Sequence, residues 1–523
     1  MKSPGSLKRL LIRIGLGAVA LVVVLLVAAA IRLFYAFHDR HSGYRIELAI
    51  DGAKARAAAK PLQVGFGRQK INPRMDDPTH PVWLAGFSNG RAATAIHDDL
   101  WAVACVLDDG VTRIGIVALD AIGFFEDDVI EVRNRLSPGW KLDYVTVCSL
   151  HNHSTPDLMG IWGSSALKTG VDPVYRKQVI AAAANALSAA TTGLRPCAYA
   201  IHEIPTPPDG LVADTRLPHV FDSDIRAIHF VDPASGKTIG TITGWANHPE
   251  TPWGKNTEIT ADFPGFLRDA LEKGIRYDDK QVMPGLGGIH LYLNGAVGGL
   301  MTTHPSTTVH DPFLDKDMKE PSHDKSRAVG HLLAKKVLEA IAKAPAPSGS
   351  AAPISVHART IELPMDNPMF LAASFLGLMD RGQPRWKTIR SEVACLMVGD
   401  ASFLCVPGEI YPEIVNGGVV RAPGGDFGID PVEVPPLRQL MPGKTKFVIG
   451  LANDEVGYII PKSEWDEKPP YLFDSPHHVY GEVNSLGPET APILHRELKR
   501  VCDESRPSAS TGSQTAGAPA AAR

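Results

Sequence analysis

His151-Asn152-His153 and His248 carry the chemistry most readily read from this chain. A neutral imidazole is a common zinc ligand, and a catalytic zinc takes about three protein donors while keeping one position open. The two histidines of the pair are two residues apart, so on an extended segment they face the same side. Both can serve one site, one on a metal and the other toward substrate or in a supporting position. Two more donors are candidates. Glu409 follows the rigid turn Val406-Pro407-Gly408, and Tyr458 closes Leu451-Ala452-Asn453-Asp454-Glu455-Val456-Gly457. A phenol near a metal becomes more acidic and can donate to a developing oxyanion. None of these spacings matches HExxH or a paired CxxC site, so the residues by themselves indicate a histidine-rich hydrolytic metal site and no more.

Each candidate follows an apolar run. Tyr144 to Leu150 precedes the histidine pair, IGTITGW precedes His248, 402–408 precedes Glu409, and 446–452 precedes Tyr458. Such runs read as buried strands, and open α/β sheets place their chemistry at strand ends. Further strands are expected at 112–119, 226–231, 290–295 and 392–399, and helices at 174–189, 263–273 and 325–343. The mixture predicts an α/β fold, a mixed sheet with flanking helices, in a single large domain. The Pro/Ala/Ser-rich stretch 344–353 reads as a surface loop inside that domain, because candidate site residues lie beyond it.

The chain has 523 residues, 44% of them hydrophobic, and a net charge of −4 with both signs scattered, which gives no basic stripe for nucleic acid. Six cysteines without framework spacing read as small buried hydrophobes. Ile14 to Ile31 is uncharged and apolar, and Lys2, Lys8, Arg9 and Arg13 precede it. This predicts a single-pass signal-anchor over 14–34, with a basic cytoplasmic segment over 1–13 and the rest of the chain in the periplasm or outside the cell. The rival is a secreted protein cleaved near Ala30. Residues 35–61 read as a stalk and 504–523 as a disordered tail.

The ordered motifs over roughly residues 62–495 resemble the neutral, non-lysosomal ceramidase family, which implies a hydrolase domain over 62–503. Val64-Gly65-Phe66-Gly67 through Ile71-Asn72-Pro73 resembles the family's opening motif, and Leu84-Ala85-Gly86-Phe87 its LAGY. His151-Asn152-His153-Ser154 stands where the family has HTHS, and Asn247-His248-Pro249 where it has HPT. Ala261-Asp262-Phe263-Pro264-Gly265, Pro407-Gly408-Glu409, Asn453 to Tyr458 and Gly487-Pro488-Glu489-Thr490 follow in order. The resemblance implies a zinc-dependent amide hydrolase acting on an N-acylsphingosine or similar lipid amide. It puts Zn2+ on His151, His248, Glu409 and Tyr458, and gives His153 and Tyr458 catalytic contacts to the tetrahedral oxyanion. Arg216 and Tyr471 are its substrate-binding candidates, Tyr471 with one inserted residue.

Two departures stand out. Met301 occupies the place of the family's nucleophilic serine and Gly299 that of an aspartate, with Thr302 and Thr303 adjacent. A zinc-activated water would survive that loss; a serine route would not. The chain also ends soon after Thr490, so no immunoglobulin-like C-terminal domain is expected. The competing readings are a zinc amidase or esterase with a small non-lipid substrate, and an inactive, membrane-tethered binding protein.

Overall fold

The computed structural model describes residues 4–58, 60–77, 79–278 and 280–506. The disordered tail expected over 504–523 therefore lies almost wholly outside the described residues. Three sheets organise the chain. The first has the order Tyr144–Ser149, Arg113–Leu119, Trp101–Asp108, Gln63–Lys70, Arg195–Pro196. The second runs Ile289–Asn294, Thr238–Trp245, Ile225–Val231, Ala198–Ile204. The third runs Glu47–Ile50, Ile354–Pro364, Thr388–Val398, Ala401–Cys405, Thr445–Ile449. The fold class is the expected mixed α/β.

Each sheet is antiparallel except for one parallel pair at its edge: Arg113–Leu119 with Tyr144–Ser149, Thr238–Trp245 with Ile289–Asn294, and Ala401–Cys405 with Thr445–Ile449. Parallel strands are covered on both faces and read as unbroken apolar runs. Every residue of Tyr144–Ser149 and Ala401–Cys405 is buried. These pairs therefore gave the clearest strand signals, and the carboxyl ends of their strands carry the site.

Helices cover the sheets. Pro173–Thr192 packs on the first, with Asp172 capping it by accepting from the Val174 amide and Pro173 opening its first turn. Asp262–Lys273 and His323–Lys343 pack against each other, and Thr490–Glu504 lies on the third sheet. Tyr199 pairs with Gly349 across an isolated bridge, so the 344–353 loop belongs to the same body. All six cysteines are buried and free.

The N-terminal segment differs from expectation in part. Pro4–Ala36 is one helix, and its segment Lys8–Ala36 is long and apolar enough to cross a membrane. The stretch 35–61, however, is no free stalk. Glu47–Ile50 is the edge strand of the third sheet, pairing with Ile354–Pro364. Asp39 binds Arg390 at 3.0 Å, and the Gln383 amide donates to the His38 carbonyl. The polar residues that suggested a tether are the partners of buried charges on the domain.

Candidate metal centre

His151 leaves the end of Tyr144–Ser149 with φ = 62°, a left-handed conformation rare for a non-glycine residue and often found at functional sites. Its Nδ1 lies 2.9 Å from the Ile122 carbonyl. His248 follows Thr238–Trp245, and its Nδ1 lies 2.7 Å from the Met301 carbonyl. A carbonyl only accepts, so both rings carry a proton on Nδ1 and turn Nε2 toward the site. Glu409 supplies the third donor. Its Oε2 is 3.2 Å from His151 Nε2 and 3.0 Å from His248 Nε2. Histidines fixed through Nδ1, with Nε2 converging beside a carboxylate, make the arrangement by which metal-ligating imidazoles are oriented. Burial works to raise the Glu409 carboxyl, but His151 and then His248 outweigh it and hold it at about 2. Glu409 is an anion here.

Tyr458 reaches the site by register. Glu409–Ile410 and Tyr458–Ile459 form a short parallel ladder in which Glu409 stands opposite Tyr458. Burial, then the Glu409 carboxylate, push the phenol well above its ordinary range. Without a cation beside it, the phenol keeps its proton.

The second histidine of the pair has a different setting. The donor atoms of His151, His153 and His248 lie within 4.8 Å of one another, a group able to hold a metal ion. His153 is part-buried with both ring nitrogens shut off from solvent, yet neither makes a hydrogen bond. Its Nδ1 is 3.2 Å from Glu250 Oε2. Burial first, then His151, His248 and Arg91, push this imidazole well below its ordinary pKa, so it is neutral. Gly86, at φ = 76°, packs on the ring so closely that a Cβ would stand 2.5 Å from Nδ1. Arg91 closes the other side by donating to the His153 carbonyl at 3.2 Å.

These groups end a cavity of about 820 Å³. His151, His153, His248, Glu409 and Tyr458 all line it, and so do Glu250, Glu455, Thr302 and Tyr480. Opposite the imidazoles the wall is apolar, built from Met159, Trp162, Leu378 and the helix Pro368–Leu376.

Two expected substrate residues are elsewhere. Arg216 is buried outside the cavity lining, with Nη1 donating to Glu482 Oε2 at 3.0 Å and Nη2 to the Glu464 carbonyl at 3.0 Å. Its charge is consumed by a buried ion pair. Tyr471 is also outside the lining, 6.0 Å ring to ring from His478. The second tyrosine at the cavity is Tyr480, 5.9 Å from Tyr458. Met301, in the place of the family serine, is fully buried and presents only its carbonyl to the site. The neighbouring hydroxyls divide. Thr303 Oγ1 donates to the Leu211 carbonyl, whereas Thr302 Oγ1 faces the cavity without a partner. Glu250 and Glu455 escaped the sequence reading. The signal for Glu250 was a carboxylate two residues after His248.

No family model and no curated protein matches this chain in sequence. Solved structures do match in shape. Neutral ceramidase from Pseudomonas aeruginosa superposes with a TM-score of 0.60 at 15% identity, over 85% of this chain and 74% of that one. A ceramidase described as complexed with C2 gives 0.60 and 15%, over 85% of this chain and 75% of its own. The fold of this chain is that of the neutral ceramidases, built here from a sequence of which 15% is shared.

Proposed function

We propose that this chain is a metal-dependent hydrolase of a lipid amide, resembling neutral ceramidase in chemistry as in fold. The observation that supports it most is the convergence of His151 Nε2, His248 Nε2 and Glu409 Oε2, with both imidazoles locked through Nδ1 to main-chain carbonyls. Two neutral imidazoles and one carboxylate suit zinc, and Tyr458 stands beside them as a further donor. When bound, such an ion acidifies a water and polarises an acyl carbonyl.

The chain's own residues do the rest. Glu250 Oε2, 3.2 Å from His153 Nδ1, favours a proton on that nitrogen, which leaves Nε2 to accept a proton and later return it to the departing amine. Tyr458, a protonated phenol, donates to the oxyanion that forms on the acyl carbon. His153 thus takes proton transfer rather than the oxyanion contact expected from sequence. The apolar wall of the cavity suits an acyl chain, since lipid-binding pockets are mostly apolar with a few placed polar groups. The N-terminal helix is proposed as an uncleaved anchor with the domain outside the cytoplasm.

Thr302 supports a second reading, in which its unpartnered hydroxyl attacks in place of the family serine. Zinc-loaded protein should release fatty acid from N-acylsphingosines, and Thr302→Val should keep at least half of that rate. A silent valine variant would move the attack to Thr302. Hydrolysis of small amides with N-acylsphingosines untouched would remove the lipid assignment, and zinc uptake with no turnover on either panel would leave a binding protein.

A further inference from the structure

The apolar wall of the cavity is physically joined to the N-terminal helix. Arg32, in the last two turns of Pro4–Ala36, donates to the carbonyls of Ser374 and Phe375. These are carbonyls of the last turn of the helix Pro368–Leu376, where a cation is favourable; the Ser374 carbonyl also accepts from the Gly377 amide. One turn on, Phe37 meets Trp386 edge to face, 4.7 Å between centroids. From there Arg40 pairs with Asp380, Asp39 with Arg390, and Glu47 begins the edge strand. No slack separates the apolar helix from the domain.

The depth follows from length. Ile14 to Ile31 is 18 residues, about 27 Å at 1.5 Å per residue, close to the hydrocarbon thickness of a bilayer. Arg32 therefore falls at the head-group boundary, and Pro368–Leu376 is held at that level. Its exposed residues suit the place. Met369 (64% exposed), Ala372 and Leu376 (52% exposed) recur at the spacing of one helix stripe, and the same three line the cavity. Leu167 (72% exposed) extends the stripe on the loop that gives Ala166 to the cavity. Phe34, Tyr35 and Trp386 are exposed around the junction, the aromatic residues favoured at a membrane interface.

We propose that Pro368–Leu376, Leu167 and Trp386 form a face that lies on the bilayer holding the chain's own N-terminal helix, so that the cavity opens onto lipid. An acyl chain then moves from the leaflet along Met369, Ala372 and Leu376 to the imidazoles without crossing water. The route rests on the lipid-amide reading above; the placement of the face does not.

The test uses the full chain reconstituted in phosphatidylcholine–phosphatidylglycerol vesicles. All six native cysteines are buried, so a polarity-sensitive probe can be attached at Leu167→Cys, Leu376→Cys or Trp386→Cys. Val111→Cys is the control. It is exposed, and it sits at the opposite end of Arg113–Leu119 from the site. We expect shallow nitroxide lipids to quench the first three at least threefold more than the control. Equal quenching at all four positions in vesicle-bound protein overturns the proposal. So does loss of the chain from the vesicles, or a face shielded from aqueous quencher but untouched by nitroxide lipid, which reports a second copy. Leu167→Glu with Trp386→Glu, neither in the cavity lining, should lower hydrolysis of a long-chain amide in vesicles at least tenfold and that of a soluble short-acyl amide less than twofold. An equal fall on both substrates overturns the route. If the native protein hydrolyses neither, the functional reading fails while the quenching result stands.

Discussion

The candidate metal centre and the carboxyls beyond Tyr411 are both buried clusters of ionisable groups, and burial alone does not distinguish them. At the candidate metal centre Glu409 is an anion at about 2, because His151 and His248 converge on it. Beyond Tyr411, carboxyls crowd one another instead. Glu413 is pushed well up by burial and then by Glu464, Glu464 by burial to about 7, and Asp214 by burial to about 7. Arg216, the cation there, is committed to Glu482. The first cluster holds an anion with two imidazole Nε2 atoms turned on it; in the second the carboxyls are pushed up and keep their protons past the ordinary carboxylate range. A donor set needs atoms aimed at one point, and the first cluster has them in Glu409 Oε2, His151 Nε2 and His248 Nε2.

The largest expected effect breaks the first cluster. His248→Ala or His151→Ala should lower kcat/KM about 10³-fold or more, since several kcal/mol of transition-state stabilisation goes with the ion, and metal content should fall in parallel. Next, His153→Ala should cost about 10²–10³ in kcat while metal content stays, which separates proton transfer from ligation. Gly86→Ala forces a Cβ against the His153 ring, and should cost about 10–100-fold by displacing it. These are steady-state rate measurements paired with elemental analysis.

The smallest effect sharpens the contrast from the other side. Glu464 keeps its proton in the folded chain up to about 7, against an ordinary 4.5. Below about 4.5 this costs nothing; as pH rises toward 7 the unfolded chain releases a proton the folded chain retains, so stability falls. Glu464→Gln removes that titrating carboxyl, and its amide oxygen can still accept from the Val420 amide. Thermal unfolding at pH 5.5 and pH 8 should show the variant losing about 1–3 kcal/mol less than the native protein between the two. Its hydrolytic rate should be within twofold of native.

Much of this was readable from the sequence for a physical reason. His151, His248, Glu409 and Tyr458 all follow strands buried on both faces, whose apolar runs are unmistakable. Thr388–Val398 was expected to begin at 392, because Arg390 and Ser391 look like loop; in the fold Arg390 takes Asp39 and Glu126 as partners. Ile354–Pro364 was hidden in the same way by Arg359, which pairs with Glu504. Glu250, Glu455 and Tyr480 have no local pattern, since a cavity gathers residues from loops distant in sequence. Arg216 was a candidate only by its position in the family resemblance, and its partner, Glu482, is far along the chain. The expected stalk failed likewise: edge strand Glu47–Ile50 is short and half exposed.

The most direct measurement is the metal content of the purified full chain, followed by chelation and restoration of hydrolysis. The account predicts close to one zinc per chain, activity lost on chelation and regained with zinc, and neither metal nor activity in His248→Ala. Full hydrolysis by metal-free protein, or zinc held undiminished after His151 and His248 are both replaced, would contradict it.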